Sequence, residues 1–189
     1  MTDKATVRDR VLSRRAEESD RDLKSRRIAE RVASHERYNR AAVVSTYVGV
    51  DSEVATIPLI VSALAAGRTV VVPWVDGDDI RLSRLDRLDE LVSSGFGLLE
   101  PTVEIRTDPS RRVAPEVCEV FLVPGVAFDR EGYRLGRGRG YYDRLLSQVP
   151  PAVFRIGLAF ECQLVESVPR EDHDQRMDLI VTEQRTYEA

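Results

Sequence analysis

Two runs of β-branched and apolar residues, AAVVSTYV at 41–48 and TVVVPWV at 69–75, bracket a segment with the marks of a short helix. Runs that are apolar throughout, rather than alternating, read as buried strands. Between them the helix starts near Thr56, which can cap it, with Pro58 tolerated in the first turn. Ile60 and Leu64 share one face, and Gly67 suits the position just past the end. Strand, helix, strand at this spacing predicts a right-handed crossover, hence an α/β fold with a mainly parallel sheet. Ligands of such sheets gather beyond the carboxyl ends of the strands. Val48, Glu53 and Trp74 all fall there. Glu53 stands where polar recognition groups belong; Trp74 reads either as a lid over a planar ligand or, the commoner case, as a core-edge aromatic.

A third apolar run opens the most unusual stretch of the chain, FLVPGVAFDREGYRLGRGRGYYDRLL, residues 121–146. Phe121, Leu122 and Val123 read as a strand ending in a Pro-Gly break, and YYDRLL as a helix. From Arg130 to Arg144 five arginines face two acids, a local charge of +3 in a chain of net charge −4. Gly136, Gly138 and Gly140 alternate with Arg137 and Arg139. Glycines bring backbone N–H groups close to a ligand, a helix start adds partial positive charge and arginine supplies forked donors, which together suit phosphate. The spacing is neither a dinucleotide fingerprint nor a P-loop. On glycine pattern alone, a phosphate cradle and a basic surface loop remain equal readings. The apolar flanks and the carboxylate Asp143 at its end favour the cradle.

Residues 3–18 and 20–37 predict two charged helices with a break at Ser19-Asp20. Val7, Val11 and Leu12 form a seam in the first; Leu23, Ile28 and Val32 form one in the second. Most of their arginines read as a solvated outer face. Lys4 and Arg8, at i and i+4, project from one side and can reach an anion. Further on, IRLSRL reads as a strand, LDRLDELVSS as a short helix, FGLLEP as extended, TDPSRRVAPE as a surface loop, and Cys118 to Val123 as a strand. VFRIGLAF and Leu179 to Thr182 are further strands. An acidic loop before the last carries Asp172, His173, Asp174 and Asp178, which suggests either a solvated turn or one or two carboxylates sharing magnesium with nucleotide phosphates.

At 189 residues a single domain is expected, with residues 1–40 a helical segment packed on it. No apolar run approaches membrane-spanning length and the N-terminus lacks a signal h-region, so a cytoplasmic protein without membrane contact is expected; a monomer is expected as well. Cys118 and Cys162 have no metal-type spacing and read as core thiols. Residues 1–40 are net +4 and residues 161–189 net −5. That distribution favours a small anionic ligand over nucleic acid.

Taken together, these residues resemble the 5-formyltetrahydrofolate cyclo-ligase family, also called 5,10-methenyltetrahydrofolate synthetase, across essentially the whole chain. VPGVAFDREGYRLGRGRGYYDRLL carries the resemblance most strongly. It is supported by KATVR, DSEVAT, LLEP, and the tail of Gln163, Val168-Pro169, His173-Asp174, Asp178 and Thr182-Glu183. The resemblance implies a three-layer α/β/α sandwich and a MgATP-dependent closure of 5-formyltetrahydrofolate to 5,10-methenyltetrahydrofolate, with ADP and phosphate released. It implies nucleotide contacts at Lys4, Arg8, Arg134, Leu135, Gly136, Arg137, Gly138, Arg139, Gly140, Tyr141 and Tyr142, with Arg134, Arg139 and Tyr142 carrying catalysis. Asp143 and Asp174 would bind magnesium; Val48 and Glu53, with Trp74, would meet the folate, polyglutamylated or not. Ile80-Arg81-Leu82 departs from a family segment resembling M-x-F, and Trp74 stands where other side chains are common.

The implied chemistry suits the residue set. ATP phosphorylates the poorly leaving formyl oxygen, and N10 then attacks the activated carbon and expels phosphate. That asks for positioning and charge stabilisation, with no Ser, Cys or His nucleophile. Two other readings stand beside it: an RNA- or nucleotide-binding module using the RGRG loop, for which the strands lack interleaved aromatic and basic residues, and an ATP-using relative acting on another small amide.

Overall fold

The computed structural model describes residues 3–93, 99–171 and 174–189. Its centre is a seven-stranded sheet made of β1 (Val43–Thr46), β2 (Thr69–Asp76), β3 (Asp79–Leu85), β6 (Val120–Val123), β9 (Phe154–Leu158), β10 (Leu179–Val181) and β11 (Thr186–Glu188). The order is β11-β10-β9-β6-β1-β2-β3. The five inner strands are parallel, and β3 and β11 close the two edges antiparallel. Two small antiparallel pairs lie outside it, β4 (Leu91–Ser93) with β5 (Leu99–Pro101) and β7 (Ala127–Phe128) with β8 (Arg134–Leu135).

Helices cover both faces, which makes the expected three-layer sandwich. On one face α2 (Arg21–Ser34), through Ile28 and Val32, packs with Val44, Val120, Leu122, Ile156, Leu158, Leu179 and Val181. The crossover helix α4 (Ile57–Ala65) buries Ile60 and Ala63 against Val70 and Val72. The opposite face takes Phe121, Val123 and Ile180 against Leu145 and Leu146 of α6 (Tyr141–Ser147). Alternate residues of β6 thus serve opposite layers, the period-2 rule in a strand buried on both sides. α1 (Lys4–Glu17) belongs to neither layer. Its Val7 and Val11 pack on Val126, Ala127, Leu135 and Val168, beyond the strand ends.

Several local expectations change. The charged segment after α1 breaks at His35, which begins the one-turn α3 (Glu36–Arg40). The stretch expected as a helix near Leu88 is a single 3-10 turn (Leu88–Glu90) running into β4, because Glu90 spends its carboxylate on the backbone of Asp86 and Arg87 and on Arg111. α5 (Val103–Thr107), capped by Thr102, fills the stretch between the extended segment ending at Pro101 and the expected loop from Thr107, for which no element was expected. β11 was not foreseen. Phe96, Gly97, Leu98, Asp172 and His173 lie outside the described residues.

Candidate active site

Strand order fixes where a site can form. From β1 the chain crosses one way to β2, whereas β6, β9 and β10 lie on its other side. The loops leaving the carboxyl ends of β1 and β6 therefore diverge, opening the crevice in which α/β sheets bind ligands. The first loop carries Val48 and Glu53, the second leads to the β7–β8 hairpin and the glycine loop.

The β1 loop is tightly bonded. Thr56 does not use its side chain as a helix cap; its hydroxyl donates to Tyr47 O at 2.6 Å and accepts from Gly49 N at 3.1 Å. Glu53, its side chain 13 % exposed, accepts from Val50 N and, at 3.2 Å, from the Arg137 guanidinium. Val48 is half-buried beside the Ile60 cluster. Trp74 is half-buried too: its indole N–H donates to Ser83 Oγ at 2.9 Å, and Arg106 lies over its ring.

Opposite stands the glycine loop. Among the described residues, no backbone N–H of residues 136–140 donates to a protein acceptor. Gly138 has φ +96°, a conformation L side chains rarely adopt, and a Cβ there would meet the Arg8 guanidinium at 3.4 Å. α6 begins at once but is only seven residues long, so the cationic character of this wall comes from arginines more than from a helix end. Leu135 is buried and anchors the loop to α1. Arg134 is almost wholly buried, pairs with Asp143 at 2.6 Å and lies 5.7 Å from the centre of the Tyr142 ring; its Nε has no hydrogen-bond partner among the described residues. Burial pulls the Arg134 guanidinium below its ordinary value, against the pull of Asp143. Burial pushes the Tyr142 phenol well above its usual range, with the Glu53 carboxylate adding to the shift. The phenol therefore stays protonated.

α1 straps these parts together. Lys4 pairs with Glu171 at 3.0 Å and Asp174 at 3.2 Å, and Arg8 donates from Nε to Gly136 O at 3.0 Å. Desolvation opposes the Lys4 charge, but the two carboxylates outweigh it and hold its pKa raised. Beside the loop, an open cleft of about 400 Å³ is lined by Asp78, Arg139, Tyr141 and Arg144. Tyr141 and Arg144 donate to Gly77 O and Asp78 O at the β2–β3 turn, so that hairpin braces the loop. Arg139 makes no side-chain hydrogen bond or ion pair among the described residues. Asp178, grouped with Asp174 in the sequence, instead accepts from Arg155 N at 2.7 Å between β9 and β10.

Arg15 departs from the expectation of a solvated face. It is 1 % exposed, donates from Nε to Ser52 Oγ at 3.0 Å, and from Nη1 to Gly125 O at 3.2 Å. The signal was available: position 15 continues the apolar face of Val7 and Val11. Gln163, which also donates to Gly125 O and Val126 O, holds the same turn.

Residues 1–183 match the family profile described as the 5-formyltetrahydrofolate cyclo-ligase family. The chain belongs to that family. A 5-formyltetrahydrofolate cyclo-ligase of Mycolicibacterium smegmatis is 33 % identical over 147 residues, covering 75 % of this chain and 74 % of the relative. The mouse 5-formyltetrahydrofolate cyclo-ligase is 26 % identical over 192 residues, covering 95 % and 91 %. Among solved structures, the 5,10-methenyltetrahydrofolate synthetase of Aquifex aeolicus superposes with a TM-score of 0.83 at 34 % identity, covering 98 % of this chain and 92 % of its own. Membership of this cyclo-ligase family makes the protein an enzyme. Cys118 is buried in the core as expected, whereas Cys162 is half-buried at the edge of an open cleft with Glu18 and Lys24; burial pushes both thiols up to about 12.

Proposed function

We propose that the protein closes 5-formyltetrahydrofolate to 5,10-methenyltetrahydrofolate at the expense of ATP, with the glycine loop as the phosphate wall and the β1 loop as the folate wall. The observation that carries this reading is the Arg137–Glu53 ion pair at 3.2 Å. It brings a cationic glycine loop and an acceptor for pterin N–H groups face to face across the crevice. The formyl oxygen attacks the γ-phosphorus and ADP leaves. N10 adds to the activated carbon, the C–O bond to phosphate breaks, and the N10 proton is lost. The backbone N–H groups of residues 136–140, with Arg134 and Arg139, compensate the charge moving onto phosphate oxygens. Tyr142, held neutral, donates a hydrogen bond. Lys4 and Arg8 hold the nucleotide from α1, Tyr141 and Leu135 shape the loop, and Val48 and Trp74 border the folate.

The donor set fits magnesium shared with phosphates. Asp143 and Asp174 are carboxylates, each already facing a cation, Arg134 or Lys4, that can turn to phosphate. Magnesium bound there would neutralise phosphate charge. The proposal places the protein in the cytoplasm as a monomer, and no described helix is long and apolar enough to cross a membrane. Incubating the purified protein with 5-formyltetrahydrofolate, ATP and magnesium should give the ultraviolet band of the methenyl product. No band with intact reagents would refute the assignment.

A further inference from the structure

Lys4, Arg8 and Arg15 project from one side of α1; Arg8 bonds the glycine loop at Gly136 O, and Lys4 pairs with Glu171 and Asp174. Arg15 reaches the other side of the crevice. Its guanidinium bridges Ser52 Oγ in the β1 loop and Gly125 O in the β6 loop, the two segments that part at the switch in strand order. Among the described residues it makes no ion pair. A buried guanidinium facing only neutral acceptors is costly, and a neutral amide or an aliphatic side chain would fill the space at lower cost. What arginine adds is a rigid fork joining two loops, and a positive charge. The foremost opposing charge that this cation feels is the Glu53 carboxylate, next in the chain to Ser52. Arg137 also bears on Arg15 and repels it, while Tyr47 and Cys162 complete its titratable surroundings.

We infer that Arg15 is a positioning residue for the folate half of the reaction. It fixes the Ser52–Glu53 segment from behind, while Arg137 fixes the Glu53 carboxylate from the loop side. Substrate displaces Arg137, whose guanidinium is half exposed, and Arg15 keeps the carboxylate in place. The inference rests on the folate reading of Glu53.

Three variants test it: Ser52→Ala, Arg15→Gln and Arg15→Lys. The readouts are separate KM values for 5-formyltetrahydrofolate and ATP, calorimetric binding of 5-formyltetrahydrofolate without ATP, and the thermal midpoint. Ser52→Ala and Arg15→Gln should each raise the folate KM and Kd about tenfold, the weight of one charge-assisted hydrogen bond, with the ATP KM within about twofold by the same argument. Arg15→Lys, which restores charge without the fork, should recover part of the loss. A lower midpoint with unchanged folate Kd, or folate and ATP constants rising together, overturns the inference alone. Wild-type protein that neither binds folate nor forms product overturns the functional reading, and this inference with it.

Discussion

Arg139 and Asp143 sit four residues apart but in opposite conditions. Arg139 lines an open cleft with its guanidinium untied among the described residues, whereas Asp143 is clasped by buried Arg134. Arg139→Ala should therefore leave stability alone and raise the ATP KM more than the folate KM; equal rises in both would contradict a phosphate role. Asp143→Asn keeps an acceptor for Arg134 but loses the charge. Turnover should fall and the magnesium requirement weaken, and the thermal midpoint should drop as well, because buried Arg134 is left without its counter-charge. A normal magnesium titration would remove Asp143 as a ligand. At the thiols, a pKa of about 12 keeps Cys118 and Cys162 protonated near neutrality. Native-state alkylation at pH 8 should run at least about a hundredfold slower than in urea, since an unperturbed thiol titrates near pH 8.5. Rapid labelling of the native protein would mean that these sites are open.

At the scale of elements, β9 is constrained by an aromatic from another segment. Phe128, fully buried, lies so close to Gly157 that a Cβ there would come within 2.6 Å of its ring and 3.3 Å of Met177. Gly157→Ala should cost about 1–3 kcal/mol by overpacking, read as a lower urea midpoint; an unchanged midpoint would show that the ring yields. The same elements show which features the sequence could disclose. The inner strands were legible because a strand buried on both faces is apolar without a break, and the crossover because Pro58 and Gly67 punctuate it. β11 and the 3-10 turn near Leu88 were not, since their conformations depend on distant partners: β10 for the first, Arg111 for the second. Arg15 was hidden by its own charge among eleven other basic residues in the first forty. Glu53 could be picked out by its place after β1, but its pairing with Arg137, 84 residues away, could not.

For the molecule as a whole, burial acts on many weak acids in one direction. It raises both thiols from 9.0 and the phenols of Tyr38, Tyr47 and Tyr142 from 10.0. Each folded pKa lies above its unfolded value, so the unfolded chain loses these protons first. The stability they contribute is complete below pH 9 and is lost as pH climbs through the folded values. The thermal midpoint should fall steeply above about pH 9, where the thiols of the unfolded chain ionise; a flat profile to pH 11 would refute the burial of these groups. The sheet's edge hairpin has another use. Trp74 is the sole tryptophan in the chain, its indole tied to Ser83 and its ring under Arg106, on the hairpin whose turn receives Tyr141 and Arg144. The protein therefore carries a single indole, one hairpin arm away from the glycine loop, and its emission, excited at wavelengths where the six tyrosines do not absorb, reports movement of that brace without any label.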